Sequence, residues 1–429
     1  MSSSELKPAP DPELLLRIAS KIGTPTYVYF ADTIRQRVEV LKEHFSTLGG
    51  RLLYAMKANS HPAILTLLRD QGLGIDAVSP AELLLVLRLG FSPDRILFSA
   101  NNMTDDEMQF AHRQGVMLNV GELSRLDRFG RAFPGAEVCV RLNPQVGAGH
   151  HDHVITAGSK SKFGIPVEQA DEIRRIARRH GLRIVGLHQH IGSGILDTNT
   201  LWKAIHVLLE VVPSFKEARF VNLGGGLGIP YRPGEASIDL ENLDDRIVEP
   251  LKAFGARQGR PLEFWFEPGR YLVAESGVLL VRANTVKSNP DRRFAGVDSG
   301  MGHLLRPALY DAYHAVTNLS NPDGPLVRYD VVGNICESGD RFAIDRPIQE
   351  IREDDILAIL DTGAYGMSMA APSYNLRPLP AEVLVTGGNE PGRYRLISRR
   401  RTAAELVAEV LERGTVPDAS SEPNPNVQP

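Results

Sequence analysis

Lys57 closes an apolar run, Leu52-Leu53-Tyr54-Ala55-Met56, of strand-like length. A desolvated amine there has a lowered pKa and a free lone pair, which suits condensation with an aldehyde. The plain alternative is a lysine that marks a strand end and reaches solvent. Glu267-Pro268-Gly269-Arg270 puts a carboxylate and a guanidinium in one tight turn. The pair can serve a heteroaromatic nitrogen and an anion, or simply each other. The glycines of Asn222-Leu223-Gly224-Gly225-Gly226-Leu227-Gly228 can close backbone N–H groups on an anion or make an ordinary turn. No Gly-Lys-Ser/Thr follows, so this is not a P-loop. His188 and His190 share a strand face, but no third ligand pattern accompanies them, and His150, His151 and His153 fall in an irregular stretch. A stacking or hydrogen-bonding histidine is therefore expected, and no metal. Cys336-Glu337-Ser338-Gly339-Asp340 surrounds a lone thiol with carboxylates, which argues against an apolar site for it. Gly363-Ala364-Tyr365-Gly366 suits close approach to a ligand with the phenol as donor, or a plain turn.

These residues need a scaffold that converges them. Strand-like runs at 52–57, 74–79, 95–99, 116–120, 137–142, 183–190, 220–223 and 262–267 alternate with helical stretches. Ser79-Pro80 with Glu82, and Thr104 with Glu107, are helix-start signatures. Eight strand–helix units predict an α/β fold, a (β/α)8 TIM barrel. A doubly wound open sheet has the same periodicity. The barrel is favoured because Lys57, Asp76, Ser99, Arg141, His190, Gly224 to Gly226 and Glu267 all sit at or just past strand C-termini, which in a barrel meet at one mouth. Beyond Arg270 the pattern becomes strands punctuated by Gly and Pro. The expected division is a barrel over 25–280 and a second, β-rich C-terminal domain over 281–414, joined by 1–24 as one option. A Pro/Ser-rich tail over 415–429 is expected to be disordered.

The chain has 429 residues, 42% hydrophobic and 23% charged, with net charge −4. That charge gives no footprint for nucleic acid. No apolar run is long enough to span a membrane, and the start lacks the basic-then-apolar order of a signal peptide. Two cysteines, Cys139 and Cys336, do not make a disulfide framework. A cytoplasmic protein is expected.

Taken together, the motifs resemble fold-type III pyridoxal-phosphate-dependent decarboxylases, the ornithine/diaminopimelate/arginine decarboxylase family. The similarity runs from about Thr24 to about Val385 and includes the segments around Lys57, Ser161-Lys162-Phe163-Gly164-Ile165, His190-Ile191-Gly192-Ser193, Asn222 to Tyr231, Glu267 to Arg270, Arg306 to His314, Cys336 to Asp340 and Gly363 to Gly366. The resemblance implies pyridoxal 5'-phosphate as cofactor, bound covalently through Lys57. Glu267 would pair with the pyridine nitrogen, His190 would stack on the ring, and Asp76 would neighbour Lys57. Gly226, Arg270 and Tyr365 would hold phosphate or substrate. Arg306 and Tyr310 would bind a distal carboxylate, Glu337 a distal ammonium, and Cys336 would act as the acid. It also implies a homodimer with composite sites. The expected reaction is decarboxylation of meso-2,6-diaminopimelate to L-lysine and carbon dioxide. A related decarboxylase for another cationic or carrier-bound amino acid, and a non-catalytic regulatory homologue, are the competing readings.

Overall fold

The computed structural model describes residues 9–146, 156–158, 161–387 and 393–414. The tail at 415–429 and His150, His151 and His153 lie outside the described residues. The chain forms two compact units.

The first unit spans Ala31–Ser276 with Gly363–Ser368. Its strands are β1 (Leu53–Ala55), β2 (Gly74–Ala77), β3 (Ile96–Phe98), β4 (Met117–Val120), β5 (Glu137–Asn143), β6 (Arg183–His188), β7 (Phe220–Asn222) and β8 (Glu263–Trp265). All neighbours in this order are parallel. The ring closes where Leu53 N donates to Phe266 O (2.8 Å) and Phe266 N donates to Arg51 O (2.9 Å). This is the expected (β/α)8 barrel, and closure rules out the open sheet.

Local chemistry explains the helix starts. Ser79 Oγ accepts from Glu82 N at 3.2 Å, and Thr104 and Glu107 form a reciprocal capping box. The helical stretch after β7 is irregular at its start. A π-turn, Asp244–Val248, precedes the helix Glu249–Arg257. Pro250 has no N–H to give, and Glu249 N reaches back to Asp244 O.

The expected strand 52–57 ends at Ala55, and a 3-10 turn, Met56–Ala58, carries Lys57 over the mouth. Three bonds hold that turn. Tyr54 OH donates to Asn59 O (3.0 Å), and Ala58 O accepts from Tyr365 N (2.7 Å) and Ser368 Oγ (3.0 Å).

The second unit comprises residues up to Phe30, Gly277–Thr362 and residues from Met369 onward. Its nine-stranded mixed sheet centres on Gly277–Ser288. Strand Thr26–Phe30 lies inside this sheet, antiparallel to Gly277–Ser288 and parallel to Ala381–Val385. The helix Pro12–Ile22 covers it, burying Leu14, Leu15 and Ile18 against Val28, Val278, Leu280 and Val383. Relative to the expected boundary at 280/281, the division falls at 276/277. Residues 26–30 go to the β-rich unit, and 363–368 return to the barrel. Both exchanges are long-range pairings that sequence periodicity does not carry.

Candidate active site

The lower interior of the barrel is apolar: Leu53, Leu97, Cys139, Val185, Phe220 and Trp265. Further along the same strands, toward their C-termini, the side chains turn polar. Asp76, Ser99, Asn119, His188, Asn222 and Glu267 are all buried there.

Glu267 is held at both oxygens. Asn222 Nδ2 donates to Oε1 at 2.7 Å, and His188 Nε2 lies 3.1 Å from Oε2. Burial alone would raise the Glu267 pKa. The charge and hydrogen bond of His188, then Lys57, more than offset it and bring it to about 2. The carboxylate can only accept, so His188 Nε2 carries the proton in that bond.

Asp76, in the same polar region, goes the other way. Burial and then the charge of Glu267 raise its pKa, with Lys57 opposing. Two buried carboxylates of one sign push their titrations apart.

Lys57 Nζ sits 3.6 Å from Asp76 Oδ2, with the lysine side chain 40% exposed. The sequence expectation of a lowered lysine pKa is overturned. Burial does act to lower it, but Asp76, Tyr365 and Glu267 outweigh that and raise it. The amine is therefore a tethered cation until a proton leaves it.

His190 is shifted well below the usual histidine range, by burial first and then by Lys57 and Arg141. Its ring is neutral at neutral pH, and Nδ1 accepts from Gly225 N at 3.2 Å.

The glycine loop packs backbone to backbone. A Cβ on Gly224 would lie 2.2 Å from Gln189 O, and one on Gly225 would lie 2.1 Å from Glu267 O. Gly226, at φ +111°, would place a Cβ 2.7 Å from Gly192 O. Ile195 N donates to Gly226 O (2.9 Å) and Gly228 N to Ile195 O (2.9 Å), so the loops after β6 and β7 continue the sheet pairing.

Arg270 is buried beside this loop. Its Nε and Nη2 donate to Ser193 Oγ (3.1 and 2.9 Å) and Nη1 donates to Tyr231 OH (2.9 Å). The guanidinium also lies 4.8 Å from the Tyr365 ring centroid. Tyr365 has a left-handed backbone, φ 56°, held by its N–H bond to Ala58 O. Strain at a non-glycine residue needs such enforcement.

The barrel thus brings together Lys57, Asp76, His190, Gly226, Glu267, Arg270 and Tyr365. The remaining expected site residues belong to the β-rich unit. Arg306 is buried, with Nη1 donating to His314 Nε2 (2.8 Å), whose Nδ1 donates to Leu360 O (2.7 Å). Tyr310 ends the short helix Arg306–Tyr310, half-buried. Cys336 is a free, exposed thiol, and Glu337 beside it is exposed.

Sequence reasoning missed the partners. From sequence, His188 reads as a stacking or hydrogen-bonding ring, not as the clamp on Glu267. Asn222, Ser193 and Tyr231 stand out there only as parts of motifs. Their signal was position: Asn222 ends β7 beside the glycines, and Ser193 lies three residues past His190.

The barrel residues fit pyridoxal phosphate. An amine is present for the aldehyde, an ionised carboxylate for a pyridinium nitrogen, a neutral imidazole for a ring face, and a cation among hydroxyls and glycines for a phosphate. Buried polar atoms without a hydrogen-bond partner among the described residues also cluster at this level: Arg141 Nη2, His188 Nδ1 and both amide atoms of Asn119. Such atoms are costly unless something bonds to them.

Comparison with known proteins agrees. Residues 31–274 match the family model described as "Pyridoxal-dependent decarboxylase, pyridoxal binding domain". A diaminopimelate decarboxylase of Methanothermobacter thermautotrophicus is 44% identical over 405 residues, covering 91% of this chain and 92% of that protein. That of Escherichia coli K12 is 36% identical, covering 92% of this chain and 96% of its own length. The crystal structure of diaminopimelate decarboxylase from Helicobacter pylori complexed with L-lysine superposes with a TM-score of 0.85 at 33% identity, over 93% of this chain and all of the other (100%).

Proposed function

The chain belongs to the diaminopimelate decarboxylases of the pyridoxal-dependent decarboxylase family, and on that footing we propose how its residues divide the work. The reaction is decarboxylation of meso-2,6-diaminopimelate to L-lysine and carbon dioxide, with pyridoxal 5'-phosphate as cofactor, a step of lysine biosynthesis. Bound, that cofactor supplies an electron sink for the charge left when carbon dioxide departs.

Lys57 would be the residue that anchors the cofactor, and Asp76 holds the lysine at the mouth. Glu267, fixed by His188 and Asn222, would pair with the pyridine nitrogen and keep it protonated. His190, kept neutral, would cover a ring face without adding charge. Ser193, Gly226, Arg270 and Tyr365 orient the phosphate end and the substrate. Cys336 supplies the proton that replaces carbon dioxide at the α-carbon and is recharged from water. Arg306 and Tyr310 bind the distal carboxylate, and Glu337 the distal ammonium. The observation that carries this reading is Glu267, a buried carboxylate held ionised at both oxygens within the region that positions Lys57.

A carbon dioxide release assay with meso-diaminopimelate, ornithine, lysine and arginine tests it. Release from the diacid alone is expected. Equal release from ornithine would replace the distal-carboxylate assignment with that of a related decarboxylase.

We also propose a homodimer in which Cys336 and Glu337 complete the partner's site. An exposed thiol and carboxylate on the β-rich unit support this reading. Mixing inactive Lys57→Ala and Cys336→Ala subunits should restore turnover, because one of the two mixed sites is then intact. No recovery after verified subunit exchange would put Cys336 in its own chain's site. A working thiol suits a reducing compartment, and a cytoplasmic location is proposed. Among the described residues, no helix is long and apolar enough to cross a membrane.

A further inference from the structure

The segment bearing Cys336 is fastened in an unusual way. Two successive backbone amides are each taken by a side-chain oxygen: Ile335 N donates to Asp340 Oδ2 (2.7 Å), and Cys336 N donates to Asn375 Oδ1 (2.9 Å). Asp340 is buried, and its other oxygen accepts from Met301 N at 2.6 Å. One carboxylate thus ties the cysteine loop to the turn that leads into the Arg306 helix. Gly333 and Gly300 make room for it, since a Cβ on either would lie 2.2 and 2.9 Å from Asp340 Oδ2.

On the other side, Arg377 Nη2 donates to Asn334 O at 3.0 Å, beside the Asn375 contact. Asn375 and Leu376 both have left-handed backbones, φ 57° and 46°. Asparagine tolerates that region, whereas leucine does so only under constraint. This left-handed turn accompanies the contact of Asn375 with the amide of Cys336. The thiol itself is exposed, so its location is set by the backbone anchors and the burial of the adjacent Ile335, not by packing on the sulfur.

We propose that Asn375 is a positioning residue for the Cys336 thiol, acting with Asp340 to fix the two amides that precede the sulfur. This rests on the reading of Cys336 as the acid. Asn375 acts through the backbone of Cys336 and touches neither substrate nor cofactor in this role. Proton delivery to carbon requires the donor at one position, and a shift of about 1 Å in a placed group costs up to about 10²-fold.

Two variants separate positioning from mere folding. Asn375→Gly removes the acceptor while relieving the left-handed backbone, so Tm should hold or rise. Asn375→Asp keeps an oxygen in place. In the holoenzyme, Asn375→Gly should lower kcat about 10- to 100-fold with KM little changed. Iodoacetamide alkylation of Cys336 should become several-fold faster as the loop loosens. Cys139 is buried, so native alkylation reads Cys336, and Cys336→Ala is the blank. Asn375→Asp should return both readouts toward the parent enzyme. Parental kcat and alkylation rate in Asn375→Gly overturn the proposal, as does an aspartate variant no better than glycine. If Cys336→Ala turns over normally, the acid role fails instead, and the alkylation rates still decide whether Asn375 positions the thiol.

Discussion

Two layers of the same barrel, a few residues apart along the strands, do opposite jobs. The lower layer, Leu53, Leu97, Cys139, Val185, Phe220 and Trp265, is close-packed, with the Phe220 and Trp265 rings stacked at 3.7 Å. The upper layer, Asp76, Ser99, Asn119, His188, Asn222 and Glu267, is just as buried but polar, and several of its atoms lack a partner among the described residues. Burying apolar side chains stabilises the fold by roughly 1.5–3 kcal/mol each. Burying unpaired polar atoms costs about 1–3 kcal/mol each. The barrel therefore concentrates its stability below and its chemistry above, and substitutions in the two layers should separate cleanly.

The largest effect is expected at the rim. Lys57→Ala should abolish activity and the yellow, borohydride-reducible adduct with pyridoxal phosphate. A reducible adduct that survives in the variant would move the anchor elsewhere. One layer down, Glu267→Gln should cut kcat by about 10²–10³ through lost electrostatic stabilisation, with Tm changed far less than by a core truncation. Unchanged kcat would remove Glu267 from the ring nitrogen. In the lower layer, Leu97→Ala should lower unfolding free energy by about 2–5 kcal/mol and leave kcat near the parent value below its new Tm. A kcat loss there without a stability loss would blur the division.

The smallest effect concerns pH. His190 has a folded pKa well below 6.5, because burial, Lys57 and Arg141 disfavour its protonation. Below pH 6.5 the unfolded chain binds a proton that the folded chain refuses. The stability linked to this group is thus present above pH 6.5 and declines as the pH falls, by up to about 1.4 kcal/mol per pH unit. His190→Gln should flatten the acid limb of a denaturation series by that part, and a parallel limb would show that His190 does not contribute. Glu267 has the same sign in a lower window: its contribution is present above its ordinary pKa of 4.5 and is lost as the pH drops toward about 2.

Much of this was legible in the sequence. Strand-like apolar runs alternating with helical stretches gave eight strand–helix units, and reactive residue types at strand ends pointed to the mouth. Legibility failed where partners are distant in sequence. Thr26–Phe30 falls inside the span expected for the barrel, yet it pairs with strands more than 200 residues away. The pairing of His188 with Glu267 crosses 79 residues and that of Cys336 with Asn375 crosses 39. A hydrogen bond across such a gap leaves no local periodicity.

The sequence alone determined the kinds of chemistry available, the barrel that gathers most of them and the family to which the motifs are similar. These follow from residue type and from patterns repeated every two or four residues, which neighbours along the chain enforce. Only the tertiary structure decided the charge on each group. Lys57 becomes more basic where sequence suggested less, and Asp76 and Glu267, both buried carboxylates, titrate in opposite directions. Proton affinity is set by the charges and donors within a few ångströms, and at this mouth they come from strands scattered across the whole barrel.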